Sequence, residues 1–363
     1  MLPLLLLACQ APPAPDGPIF RQDHVLLVWM PYDNDLSGAA PVVLEALRAG
    51  TEGGGVEVAA QVDTPEQRWM QRVSFAEGRG QAAAVEGAED SGDITALADF
   101  LAWAEARYEA RRYSVFVLDH GGRLDQLARD DHPGAGDATW LAIEPLADAL
   151  EGFRAREPGE VELLSLQVCG KATIEAAWTF RKSARVTLAS QLPLGAPNTW
   201  YTPVLRQLAS HPAWRGEDIA RAIAEAEGPE MYAGLTCVDN AALAGLPEVL
   251  GPAVRQPLQV DEAAMAPWLW TYAGDTLVDL GALLQRAEAP EHRALAGFLD
   301  TARCGHYRSE APPELLTVGF PDPAGLSGWS LTLAPQGLPA SYRKLGFYQD
   351  EAVTRWVEGL GPR

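Results

Sequence analysis

Residues 113–122 read YSVFVLDHGG, and residues 161–170 read VELLSLQVCG. Each stretch is a continuous apolar run of strand length. Each stops at a turn on a side chain able to do chemistry, His120 in the first and Cys169 in the second. Apolar runs without polar alternation belong to strands covered on both faces, the pattern of a parallel sheet between layers of helix. In such a sheet, ligands bind at the carboxyl ends of the strands. If these two strands are neighbours, an imidazole and a thiol 49 residues apart in sequence share one rim.

The same alternation extends outward in both directions. HVLLVWM (24–30) is a buried strand, 56–62 is a second after the Gly53-Gly54-Gly55 turn, and 68–73 is a weaker third. Asp93 is an N-cap candidate for the helical stretch after it, with Ile94, Leu97, Leu101 and Ala104 on one face. Helices at 140–152 and 172–182 and a strand at 185–190 complete the alternation. Strands alternating with helices predict an α/β fold, a three-layer sandwich with a mostly parallel sheet. Beyond about residue 210 the pattern turns mostly helical, at 215–227, 238–250, 259–270, 277–287 and 290–302. A strand at 329–333 and a helix at 351–360 close the chain. The expected organisation is a core over 20–212 and a mainly helical C-terminal subdomain over 213–363, packed on that core.

Bulk composition narrows the function. With 363 residues, the chain is long enough for one large core. Its formal net charge of −21 repels polyanions, so nucleic acid is excluded as a partner class. Residues 1–9, MLPLLLLAC, are too short an apolar run to span a bilayer. Their end, Leu6-Leu7-Ala8-Cys9, resembles the lipobox of bacterial lipoproteins, although no Lys or Arg precedes the run. The expectation is a lipoprotein signal ending at Cys9 as the lipidation site, then a Pro-rich tether over 10–19. The protein would be held by its lipid at a membrane of the cell envelope, outside the cytoplasm. Gln10 after the lipid-bearing Cys9 leans towards the outer membrane where the host has one. Three cysteines then remain: Cys237 and Cys304 either pair or stay as buried thiols, and Cys169 is the free one.

The residues around Cys169 suit nucleophilic catalysis. A helix expected just after it and Lys171 beside it both favour a thiolate. His120 can take up a proton and return it to a leaving amine. The N–H groups of Gly121 and Cys169 can stabilise a tetrahedral oxyanion.

At these residues the chain resembles the clostripain family of cysteine peptidases, relatives of gingipains, legumains and caspases. Asp33-Asn34-Asp35-Leu36 resembles the segment after the family's first strand. The helix–strand–His-Gly order of 93–122 and the nucleophile segment of 161–178 come next in sequence. Ala189-Ser190-Gln191, Trp200-Tyr201, Val238-Asp239, Val278-Asp279-Leu280-Gly281 and Gly325-Leu326-Ser327 resemble later landmarks in the same order. The resemblance implies a caspase-like fold, a catalytic pair of His120 and Cys169, protein or peptide substrates, and chemistry that requires no cofactor. Some relatives use calcium as an activator, and Asp130, Asp131 and Asp137 are the candidate contributors, but they fit no known ligand spacing and a solvated acidic loop is the favoured reading. In this family the loop over 123–139 can carry an activating self-cleavage site, for which Arg129 is the basic candidate.

Two departures bear on specificity. Where the family carries an acid two residues before the nucleophile, this chain has Gln167; where an acid follows the next strand, it has Gln191. Both are candidate substrate-pocket residues. A buried basic P1 side chain without a carboxylate loses on the order of several kcal/mol. A shift away from Arg or Lys at P1 is therefore expected, unless another acid such as Asp239 supplies the charge. Gly170-Lys171 also replaces an apolar pair. The competing readings are a catalytically silent surface-binding protein on a peptidase fold, and a hydrolase or transpeptidase using the same pair.

Overall fold

The structure, a computed structural model, describes residues 20–258 and 262–360. The expected signal and tether, with Cys9, lie outside the described residues. The framework is a sheet of nine strands. In chain order these are β1 (Gln22–Pro31), β2 (Val56–Asp63), β3 (Gln71–Ala76), β4 (Arg79–Ala84), β5 (Ala110–Leu118), β8 (Glu160–Gln167), β9 (Val186–Ser190), β10 (Gly234–Asp239) and β13 (Arg303–Arg308). Between β5 and β8 lies a hairpin of β6 (Gln126–Asp130) and β7 (Thr139–Ala142). A separate sheet holds β11 (Leu269–Tyr272), β12 (Asp275–Asp279) and β14 (Ser330–Leu333).

The order across the large sheet is β13-β10-β9-β8-β5-β1-β2-β3-β4. Its centre, from β9 to β2, is parallel throughout. Antiparallel strands extend it at both edges. The continuous apolar runs explain the parallel centre, because both faces of each strand are buried. On β1, Val25, Leu27 and Trp29 enter one core, while Leu26, Val28 and Met30 enter the other. The first core is covered by helices that include Ile94–Arg107, Ile143–Arg156 and Ile174–Phe180. The second is covered by Ala40–Gly50, Tyr201–Ser210 and Gly216–Ala226. Asp93 caps its helix, accepting from the Thr95 N–H at 2.9 Å.

The C-terminal half departs from the expected pattern. β10 takes the first two residues of the stretch read as a helix over 238–250, the rest of which holds the helices Asn240–Leu243 and Leu246–Ala253, and β10 and β13 complete the large sheet. A boundary at 213 therefore cuts through a shared sheet. The helix expected at 259–270 is, among the described residues, the short helix Glu262–Met265 and a 3-10 turn over Ala266–Trp268, the one expected at 277–287 is shortened to Leu280–Gln285, and between them lies the β11–β12 hairpin. Ala273 (φ 51°) and Gly274 (φ 88°) form its two-residue turn, which needs positive φ at both positions. Four-residue strands carry too little alternation to stand out against a helical background. The helices Gly216–Ala226, Pro290–Thr301 and Glu351–Gly359 stand where the sequence predicts them. Cys237 and Cys304 form a disulfide across β10 and β13. Among the described residues, no helix is long and apolar enough to cross a membrane.

Candidate active site

β1, β5 and β8 are adjacent and parallel, and the register pairs Leu118 with Gln167. Three consecutive strand ends thus deliver Asp33-Asn34-Asp35, Asp119-His120-Gly121 and Val168-Cys169-Gly170 to one rim. Cys169 is half-buried and is the free thiol among the described residues. Its Sγ accepts from the Leu194 N–H at 3.3 Å. The His120 ring is held instead by Asp35, with Nε2 2.7 Å from the carboxylate. If that nitrogen carries the proton, Nδ1 is left to exchange one.

Gly121 lies against the nucleophile. A Cβ built there would fall 2.0 Å from the Cys169 carbonyl oxygen and 2.9 Å from its nitrogen. The bridge between Gly121 and Leu127 is made by their neighbours: the Ala128 N–H donates to the His120 carbonyl at 3.0 Å, and the Gly122 N–H to the Gln126 carbonyl at 3.2 Å. That arrangement turns the Gly121 N–H out of the pairing. Neither it nor the Cys169 N–H donates to an acceptor among the described residues. Two unspent donors beside a thiol are what an oxyanion requires.

The supports of this rim are buried and polar. Asp119 accepts from Asn34 Nδ2 at 2.8 Å and from the Arg129 N–H. Burial nonetheless raises its carboxyl well above the usual range. Lys171, expected to lend its charge to the thiol, is 3% exposed and donates to the carbonyls of Gly122 (3.0 Å) and Arg123 (2.5 Å). Burial lowers its pKa to about 8, against the opposing pull of Asp275, Asp125 and Cys169. Lys171 is thus a clamp on the His-Gly-Gly turn. The expected dipole contribution does not arise, because the helix begins only at Ile174, with Thr173 as its cap.

Two supports come from the β11–β12 hairpin, in the gap between two stretches read as helical. The Tyr272 hydroxyl donates to the Gly121 carbonyl at 2.5 Å. Its ring lies over Gly170, whose φ of +68° suits glycine and where an added Cβ would be 3.2 Å from the ring. Burial, then the adjacent Cys169, pushes the phenol pKa upward. Asp275 accepts from the Leu124 N–H at 2.7 Å and from the Tyr342 hydroxyl at 2.5 Å. The β11–β12 hairpin therefore braces the His120 turn from outside the core. Nothing in the local sequence announced Tyr272. Asp35 was within reach, standing in a motif already singled out after the first strand.

The substrate-pocket candidates part company. Gln167 lines a small void of about 10 Å³ with Leu194, Asn198, Glu227, Tyr232 and Leu235, and Leu194 connects it to the thiol. Its Oε1 accepts from the Tyr201 hydroxyl at 3.2 Å. Glu227 brings a carboxylate, but its oxygens already accept from Asn198 Nδ2, the Thr199 N–H and hydroxyl, and the Gly228 N–H. Gln191 is turned to the small sheet, bonding Asp279, the Trp329 carbonyl and the Gly328 N–H. Asp239 caps the helix Asn240–Leu243 beside the start of β9, at the opposite edge from Cys169. Arg129 is fixed within β6, its N–H on Asp119 and its carbonyl on Asn34, which disfavours that bond as a cleavage site.

Comparison with known proteins agrees with this geometry. The model of the Clostripain family matches residues 28–243. No curated protein matches the chain. Among solved structures, a secreted C11 cysteine protease from Bacteroides thetaiotaomicron bound to an irreversible peptide inhibitor superposes with a TM-score of 0.68. It is 17% identical, over 91% of this chain and 98% of that one. An inactive zymogen C11 protease from Parabacteroides distasonis gives 0.67 at 15% identity, over 94% and 99%. At such identities these likenesses speak for the fold. With the family model covering the strands that carry His120 and Cys169, the chain belongs to the clostripain family of cysteine peptidases.

Proposed function

We propose that this protein is an endopeptidase acting outside the cytoplasm through Cys169 and His120, with a P1 preference moved away from Arg and Lys. The observation that carries the reading is the pair of unspent N–H groups, Gly121 and Cys169, beside the one free thiol described. The Cys169 thiolate attacks the scissile carbonyl carbon, and the resulting oxyanion accepts from both N–H groups. His120, oriented by Asp35, gives its proton to the leaving amine as the C–N bond breaks. A water then loses a proton to His120 and attacks the thioester, releasing the acid and restoring the thiol.

In this reading specificity follows from the void beside Gln167, which at about 10 Å³ must widen to admit a P1 side chain. Its wall presents the Gln167 amide, and the carboxylate of Glu227 is spent on four donors, three of them on Asn198 and Thr199 and the fourth the Gly228 N–H. Burial also raises the Glu227 pKa. A Lys or Arg entering there meets no free charge, so neutral P1 side chains are favoured.

The disulfide between Cys237 and Cys304 fits an oxidising compartment. In this reading Cys9 carries the lipid, and residues 10–19 tether the enzyme to the envelope membrane.

The test is a fluorogenic peptide library varied at P1, run with the protein and with Cys169→Ala. Cleavage by the former alone, with neutral P1 residues preferred, is the expected outcome. Arg-P1 peptides winning by a wide margin would remove the specificity claim. If both proteins are silent and Cys169 is inert to peptidyl electrophiles, the protein is a binding module on this fold.

A further inference from the structure

Gly121, whose N–H is offered to the oxyanion, is the residue of the His120 turn with the most backbone freedom. Both peptide planes beside it are nonetheless pinned. The Ala128 N–H donates to the His120 carbonyl at 3.0 Å, and Ala128 adopts φ +59° there, a left-handed conformation uncommon outside glycine. The N–H and C=O of a trans peptide point opposite ways, so holding the His120 carbonyl also aims the Gly121 N–H. The next plane is held at both ends. The Gly122 N–H donates to the Gln126 carbonyl at 3.2 Å, and the Tyr272 hydroxyl donates to the Gly121 carbonyl at 2.5 Å. The first two bonds are main-chain contacts within the turn and β6; the third arrives from 151 positions away in the chain.

Tyr272 also reaches the turn of the second donor. Its ring lies against Gly170, where an added Cβ would be 3.2 Å and 3.4 Å from two ring carbons. Gly170 follows Cys169, whose N–H is the other candidate donor, and its own N–H is held by the Leu192 carbonyl at 3.3 Å. One side chain thus touches both turns, with its hydroxyl on one and its ring on the other. The hairpin that carries it is fixed to the same place. Tyr272 pairs with Asp275 across β11 and β12, and Asp275 accepts from the Leu124 N–H at 2.7 Å. Burial pushes the phenol pKa upward, so the hydroxyl keeps its proton and remains a donor.

We infer that Tyr272 is a positioning residue for the oxyanion: by bridging the two turns, it holds the Gly121 and Cys169 N–H groups at the spacing a tetrahedral intermediate requires. The inference rests on the peptidase reading above and adds to it a residue of the small sheet, outside the strand ends that carry His120 and Cys169.

The test compares the parent chain with Tyr272→Phe, which keeps the ring over Gly170 and deletes only the donor. On the best library peptide, kcat should fall about tenfold or more, with KM within about threefold. A peptide aldehyde adds the thiol across its C=O bond, placing the carbonyl oxygen at the oxyanion position; its affinity should weaken by a similar factor. Iodoacetamide alkylates the same sulfur by displacing iodide and forms no oxyanion, so its rate should stay within about twofold. A thermal melt shows whether the variant folds. Should it not, Tyr272→Met, of similar reach and without a donor, makes the same comparison. A folded variant whose kcat and aldehyde affinity stay within about threefold of the parent overturns this inference and leaves the peptidase reading standing. An equal fall in all three readouts marks Tyr272 as general structural support and also overturns it. A parent chain that neither cleaves peptides nor binds the aldehyde overturns the peptidase reading, and this inference with it.

Discussion

Gly121→Ala is the sharpest test of the rim's arrangement. The new Cβ would lie 2.0 Å from the Cys169 carbonyl oxygen, where ordinary contact begins at 3.4 Å. The two turns must therefore separate by roughly 1.4 Å, and no rotamer change relieves this, because backbone meets backbone. The two proposed oxyanion donors belong to these same residues. A 1 Å misplacement near reacting atoms costs about 10²-fold, and loss of one oxyanion donor about 10² to 10³. A fall in kcat of that order is expected, with about 1–3 kcal/mol of lost stability from overpacking. The control is Gly297→Ala, on the helix Pro290–Thr301, where an added Cβ meets no atom within 4 Å. Open space there means that the control should keep kcat and stability near those of the parent. The assay is kcat on the best library peptide, with circular dichroism and a thermal melt to show that both variants fold. A folded Gly121→Ala protein with kcat within about threefold of the parent would overturn this account of the oxyanion site.

Further outcomes rest on the same contacts. Asp35→Asn removes the carboxylate from an exposed bond to His120, so a modest fall in kcat of about three- to tenfold is expected, with KM and the melting temperature nearly unchanged. Gln167→Asp places a free carboxylate in the pocket and should raise kcat/KM for Arg-P1 over neutral peptides by about tenfold or more; an unchanged ratio would mean that the residue does not line P1. Lys171 titrates at about 8 in the folded chain against 10.5 in the free side chain. Between those values the unfolded chain binds more protons, so stability should rise with pH by about 3 kcal/mol through the window. Denaturant melts from about pH 7 to about pH 10 should show this rise in Cys169→Ala and not in the same chain carrying Lys171→Met; equal slopes would place the titration elsewhere.

Residue order alone dictates the parallel centre of the sheet and the two strand ends that matter. Continuous apolar runs at 24–30, 113–118 and 161–168 have few structural solutions, and parallel pairing brings the residues after each run out at the same edge. His120, Cys169 and the candidate donors Gly121 and Cys169 were legible for that reason, and Gln167 could be read from its distance to the nucleophile. The folded arrangement governs what touches them. Asp35, Lys171, Tyr272 and Asp275 act on the rim through contacts between segments far apart in the chain, and no local periodicity encodes such contacts. Gln167 and Gln191 read alike in sequence, yet only one lines the pocket, because the small sheet captures the other. The strands β10 to β13 stayed hidden because they are short and sit among helical residues, where pairing partners rather than propensity fix the conformation.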